Sequence, residues 1–167
     1  MTLAPDAFAD AGEDAMKLVL VQHGEALPKD EDPDRPLTDR GRQDVSTLST
    51  FLSQAEELPA LVLHSGKARA RQSAEVLSVG SAPQVRDGIA PNDDTAAFAG
   101  ELAAWREDAM LVGHQPFLGK LASRLLTGDE TAVALAIEPA SAVCLERGDE
   151  GRWRVAWMVR PELLRAT

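Results

Sequence analysis

Short unbroken apolar runs alternate with amphipathic stretches along most of this chain. Leu18-Val19-Leu20-Val21 predicts a strand buried on both faces. Gln22 to Pro36 is polar, holds three prolines and reads as a loop. Thr38 is a candidate helix N-cap, because Val45, Leu48 and Leu52 then recur at helical spacing and Pro59 offers a stop. Leu61-Val62-Leu63 predicts a second buried strand, followed after Gly66 by a helix over Ala68 to Leu77 and a short strand at Gln84-Val85. Pro91 to Thr95 reads as a turn into a helix ending near Arg106. Met110-Leu111-Val112 predicts another strand, broken by Gly113. Phe117, Leu118, Leu121, Ala122 and Leu125 give an amphipathic helix with Pro116 in its first turn. Ala142–Glu146 and Trp153–Val159 are strand-like and joined by Arg147 to Gly151, the pattern of an antiparallel hairpin.

Strands alternating with helices indicate an α/β fold with a mainly parallel sheet, in which ligands bind beyond the carboxyl ends of the strands. The length of 167 residues suits one domain, assigned to 16–167, and the acidic stretch 1–15 reads as a disordered extension. A net charge of -10 argues against nucleic acid as a partner, since phosphate backbones demand an exposed basic surface. It leaves room for a small phosphorylated group held by a few arginines in a cleft. Cys144 is the one cysteine, so no internal disulfide can form. The N-terminus lacks a basic start and an apolar run, and no stretch approaches a membrane span. These features predict a soluble, cytoplasmic protein without membrane attachment. Nothing resembles a metal-ligand cluster, and no cofactor is expected.

All three histidines follow predicted strands. The first strand ends in Gln22-His23-Gly24-Glu25, the second in His64-Ser65-Gly66 with Arg69 and Arg71 beyond, the third in Gly113-His114-Gln115. If those strands are parallel, at least two clusters converge on one cleft. Each histidine also has a bland reading as a surface or structural residue, and that reading fits His64 best. Arg71 reads as a solvated helix residue.

Leu20-Val21-Gln22-His23-Gly24-Glu25-Ala26 resembles the RHG-acid-Ala opening of the histidine phosphatase superfamily, in particular its SixA-type phosphohistidine phosphatases. Arg35-Pro36-Leu37-Thr38 with Gly41 is similar to that family's RPLT-x-x-G segment. Leu63 to Ala74 resembles its S-x-x-x-R-A-x-Q-T block, Val112-Gly113-His114-Gln115-Pro116 its G/S-H-x-P block, and Glu138 to Ala142 the segment before its final hairpin. The likeness runs in order from Met16 to Leu164. One position departs: Gln22 stands where the family has arginine, so a neutral amide replaces a charged fork.

The resemblance implies a three-layer α/β/α, phosphoglycerate-mutase-like fold and a covalent phosphatase. His23 would be the nucleophile, Arg69 would clamp the phosphoryl oxygens, and His114 would donate a hydrogen bond to them. Gln22, Gly24, Arg35 and Ser65 would add phosphate contacts, with Gly24 letting backbone approach the anion. Glu25 would orient His23 or be a loop carboxylate. Larger members of the superfamily protonate the leaving group with a carboxylate; here Asp93 and Asp94 are the candidates, and both also read as helix caps. A phosphohistidine substrate would tolerate a missing acid, because imidazole leaves more readily than an alkoxide. The expected partner is therefore a phosphohistidine-bearing signalling protein. The alternatives are a phosphomonoesterase acting on a small phosphate ester, and a non-catalytic module that binds phosphoprotein. The oligomeric state is left open by the sequence.

Overall fold

The computed structural model describes residues 15–165. The expected extension over 1–15 therefore lies, Ala15 apart, outside the described residues. Six strands form one sheet in the order β3-β2-β4-β1-β5-β6. They are β1 (Met16–Gln22), β2 (Leu61–His64), β3 (Gln84–Val85), β4 (Ala109–Gly113), β5 (Ala142–Arg147) and β6 (Trp153–Val159). β3, β2, β4 and β1 run parallel, whereas β5 is antiparallel to both β1 and β6. The helices are α1 (Asp39–Gln54), α2 (Ala68–Leu77), α3 (Thr95–Leu102), α4 (Phe117–Thr127) and α5 (Pro161–Leu164).

Alternation along the central strands sorts side chains into two cores, because successive strand residues point to opposite faces. Leu18, Leu20, Leu63, Leu111, Val143 and Leu145 pack against Phe98 and Leu102 of α3 and Phe117, Leu118 and Leu121 of α4. Val19, Val21, Val62, Met110, Val112 and Cys144 pack on the other face against Val45, Leu48 and Leu52 of α1 and Ala70, Ala74 and Leu77 of α2. The architecture is thus three-layered α/β/α with a mainly parallel sheet and a C-terminal antiparallel pair. Both faces of β1 and β4 are covered, which is why they read as continuous apolar runs.

Three local expectations are corrected and one element is added. Pro59 does not end α1. The helix stops at Gln54, Glu56 turns into the left-handed region (φ 58), and the Glu57 amide donates to the Leu52 carbonyl at 2.8 Å. α3 ends at Leu102 rather than near Arg106, whose guanidinium instead donates to the Ala103 and Trp105 carbonyls just beyond the helix. Gly113 does not break β4; it pairs with Gln22 as the strand's last residue. α5, a single turn with Pro161 at its start, was not foreseen and packs on α1. Among the described residues no helix is long and apolar enough to cross a membrane.

Candidate active site

The parallel register brings separate chain segments to one edge of the sheet. Gln22 pairs with Gly113, and the His23 amide donates to the Gly113 carbonyl at 3.1 Å. His23 and His114 therefore leave neighbouring strands side by side, with ring centroids 5.1 Å apart. They line an open cleft of about 450 Å³ together with Gln22, Glu25, Arg35 and Arg69. Pro91, Gln115 and Pro139 form part of its rim. Arg69 reaches it from the first turn of α2, directly after β2.

Hydrogen bonding fixes the His23 ring. Its Nδ1 lies 2.7 Å from the Gly24 carbonyl oxygen. A carbonyl can only accept, so Nδ1 carries the proton and Nε2 keeps its lone pair. Burial pushes the His23 pKa down to about 4; the Gly24 carbonyl opposes that shift, and the guanidinium groups of Arg69 and Arg35 reinforce it. Burial likewise takes His114 to about 3, helped by His23, Arg69, Lys67 and Arg35. Both rings are neutral at neutral pH. The pKa of Arg69 is also lowered, by burial and by the nearby Arg35.

The two arginines are set facing the cleft without carboxylate partners. Neither forms an ion pair among the described residues. Among the described residues the Arg35 side chain is tied through its Nε, which donates to the Leu27 carbonyl at 3.0 Å, and its backbone sits at φ 48, a conformation non-glycine residues rarely adopt. The Arg69 Nε and the His114 Nδ1 are buried with no hydrogen-bond partner among the described residues. An unsatisfied buried donor costs about 1–3 kcal/mol, and an anion between the rings and the guanidinium groups would remove that cost.

Other candidates have different surroundings. Ser65 does not stand free for an anion: its Oγ lies 2.6 Å from Nε2 of His114. Gly24 is required by packing against α1. A Cβ there would come within 2.7 Å of the Gly41 carbonyl oxygen and 2.8 Å of Val45 Cγ2, both on α1. Glu25 lines the cleft, and its carboxylate accepts the Thr38 hydroxyl at 2.8 Å. Asp93 and Asp94 are absent from the lining. Asp93 accepts the Ala90 amide at 2.8 Å, and Asp94 caps α3 by accepting the Ala96 amide at 2.9 Å. Both are doing the work of turn and cap residues. His64 is buried beside the cleft, where its Nδ1 accepts the Gly66 amide at 3.1 Å. Arg71 is exposed and meets Glu75 one helical turn on.

Two residues of the block that resembles the family, Gln72 and Ser73, support the site although the sequence assigned them no role. Ser73 accepts the Gly24 amide at 3.0 Å and donates to the Arg69 carbonyl at 2.8 Å, coupling the loop that carries His23 to the helix that carries Arg69. Gln72 accepts the Leu37 amide at 2.8 Å and pins the Arg35-bearing segment to the same helix. Their spacing from Arg69, at i+3 and i+4, puts all three on one helix face, the signal that could have found them.

The sequence model of the histidine phosphatase superfamily (branch 1) matches residues 18–90, which include His23, Arg35 and Arg69. An uncharacterized protein of Picosynechococcus sp. (strain PCC 7002) is 36% identical over 143 residues, 80% of this chain and 86% of that protein.

The chain belongs to the histidine phosphatase superfamily.

Membership places it among hydrolytic phosphatases. The fold agrees over nearly the whole chain. The structure of the protein histidine phosphatase SixA complexed with tungstate superposes with a TM-score of 0.77 at 21% identity, covering 90% of this chain and 100% of that one. A phosphoserine phosphatase mutant from Entamoeba histolytica, in complex with phosphoserine, superposes with a TM-score of 0.70 at 13% identity, covering 90% of this chain and 100% of that one. The superfamily match ends before His114, and it is the β1–β4 register that brings this second ring to the first.

Proposed function

We propose that this histidine phosphatase removes phosphoryl groups from a phosphohistidine-bearing protein through a phospho-His23 intermediate. One observation carries the reading. Two carboxylate-free arginines and two neutral histidines face a single open cleft. Phosphoryl transfer asks chiefly for positioning and for neutralised oxygens, and Arg69, Arg35 and His114 supply the second. Gln22 adds a neutral amide to the same wall.

In the first step the Nε2 lone pair of His23 attacks phosphorus. An N–P bond forms on His23 as the bond from phosphorus to the substrate ring breaks; with its other nitrogen protonated, that ring takes the electron pair and leaves as neutral imidazole. The Gly24 carbonyl holds Nδ1–H throughout and stabilises the positive charge that develops on the ring. In the second step water attacks the phosphorylated His23. The N–P bond breaks, its electrons return to Nε2, and phosphate leaves with the water's second proton passing to solvent.

The leaving group decides between substrate classes. An alkoxide needs a proton during departure. Asp93 and Asp94 are committed to backbone amides, and the one carboxylate on the cleft wall, Glu25, is engaged by Thr38. A phosphohistidine ring already protonated on its other nitrogen departs as neutral imidazole without a protein acid, which favours phosphohistidine over phosphate esters. The likeness in fold to a SixA protein histidine phosphatase supports the same choice.

The test is turnover on a phosphohistidine peptide beside phosphoserine and sugar phosphates, with acid and alkaline quenching of the enzyme. The expected result is hydrolysis of the peptide first and an acid-labile, base-stable phosphoryl label on the protein that the His23→Ala variant lacks. Faster hydrolysis of the esters would transfer the function to small phosphomonoesters. Anion binding without label or turnover would leave a phosphoprotein-binding module.

A further inference from the structure

Ser65 follows β2, and β2 neighbours β4, so its hydroxyl meets the far side of the His114 ring from the one that meets His23. We infer that Ser65 is a positioning residue that fixes the tautomer of His114, donating its hydroxyl hydrogen to Nε2 and leaving the ring's proton on Nδ1.

The surroundings of the hydroxyl leave its hydrogen available for that direction. A serine Oγ has one hydrogen to give and two lone pairs. The Lys67 amide points at the Ser65 Oγ from 3.5 Å, a weak contact in which the oxygen can only accept. The hydrogen stays free for the other neighbour, His114 Nε2 at 2.6 Å. Burial keeps His114 neutral, so the ring holds one proton. With Nε2 accepting from serine, the proton resides on Nδ1.

Nδ1 is also the His114 nitrogen that has no partner among the described residues. The oxygens of a bound phosphoryl group accept hydrogen bonds and give none. The Nδ1–H tautomer offers them a donor, whereas the other tautomer would offer a lone pair and repel them. Ser65 thus acts through His114, much as an orienting group acts on a catalytic ring elsewhere. The use of this N–H for an anion rests on the phosphatase reading above; the tautomer itself does not.

Protein carrying ¹⁵N-labelled histidine separates the two. Two-bond ¹H–¹⁵N correlation spectra at neutral pH, with the His114→Gln variant for assignment, read which nitrogen bears the proton. The expected native spectrum shows an unprotonated Nε2 and a protonated Nδ1 on His114. In Ser65→Ala the two signals should approach one another as the tautomers mix, and Ser65→Thr, which keeps a hydroxyl, should restore the native pattern. Turnover should fall about 10-fold in the alanine variant, the scale of one lost hydrogen-bond preference, and recover in the threonine variant. A proton on Nε2 in the native protein overturns the inference, as does an unchanged His114 pattern in Ser65→Ala. The expected tautomer in a protein without phosphatase activity would support the role of Ser65 and overturn the function proposed above.

Discussion

Gln22 faces the same cleft as two arginines yet brings no charge. Its neutral amide makes a weaker bond to a phosphoryl oxygen than a guanidinium would, by about 1–2 kcal/mol. Gln22→Arg should accordingly tighten vanadate binding about 10-fold in an equilibrium titration, and weaker binding would mean the amide is fitted to a different ligand. His23, Arg69 and His114 were readable as candidates because each sits at or just beyond the end of an apolar run. Their supports were not readable in the same way. Ser73 bonds the Gly24 amide across 49 residues of sequence, and Ser65 meets His114 across another 49. Helical spacing marks Ser73 as sharing a face with Arg69, but which distant group each serine meets is set by the fold. Asp93 and Asp94 present the opposite case, since each satisfies a backbone amide two or three residues away, a local role that the turn and cap pattern announces.

At the scale of elements, α1 is docked onto the His23 loop through a glycine. A Cβ on Gly41 would lie 2.1 Å from the Glu25 carbonyl oxygen and 2.8 Å from its amide nitrogen. Helix propensity alone favours alanine over glycine by about 1 kcal/mol. The clash is with backbone, which cannot swing aside, and overpacking of this kind costs about 1–3 kcal/mol or more. Gly41→Ala should therefore destabilise despite the better helix former. Its urea midpoint should drop and kcat should fall with it, because the loop that must move carries His23; a rise in the midpoint would show that propensity wins. The helix itself was legible from Thr38, whose hydroxyl accepts the Gly41 amide at 2.9 Å, and from the spacing of Val45, Leu48 and Leu52. Its end was not, because Glu56 adopts the left-handed turn that glycine usually signals. α3 misled for a related reason. Ala103 and Ala104 continue a helical composition past Leu102, yet the chain turns there, and the Leu102 and Trp105 carbonyls accept hydrogen bonds from Arg147 of β5.

For the molecule as a whole, the layered fold was legible because both sheet faces are covered and the strands say so in their composition. What that burial does to the site becomes visible only in three dimensions. Two imidazoles are held neutral inside a chain of net charge -10, an acidic total that would otherwise favour their protonation. Their folded pKa values, about 4 for His23 and about 3 for His114, lie below the ordinary 6.5. Between those limits the unfolded chain takes up protons that the folded chain refuses. The stability tied to the neutral rings is thus fully present above about pH 6.5 and is lost as pH falls through about 4. Each ring contributes a slope of ~1.4 kcal/mol per pH unit in that window. Urea unfolding followed from pH 6.5 down to 4.5, in buffers without phosphate, should show native stability falling more steeply than in the His23→Asn/His114→Asn double variant. The expected difference in slope is up to ~2.7 kcal/mol per pH unit. Carboxylates add their own acid sensitivity to both proteins alike, so the difference isolates the two rings. Equal slopes would mean that the rings titrate as they do in water, and that the cleft does not supply the dry, neutral nucleophile on which phosphoryl transfer to His23 depends.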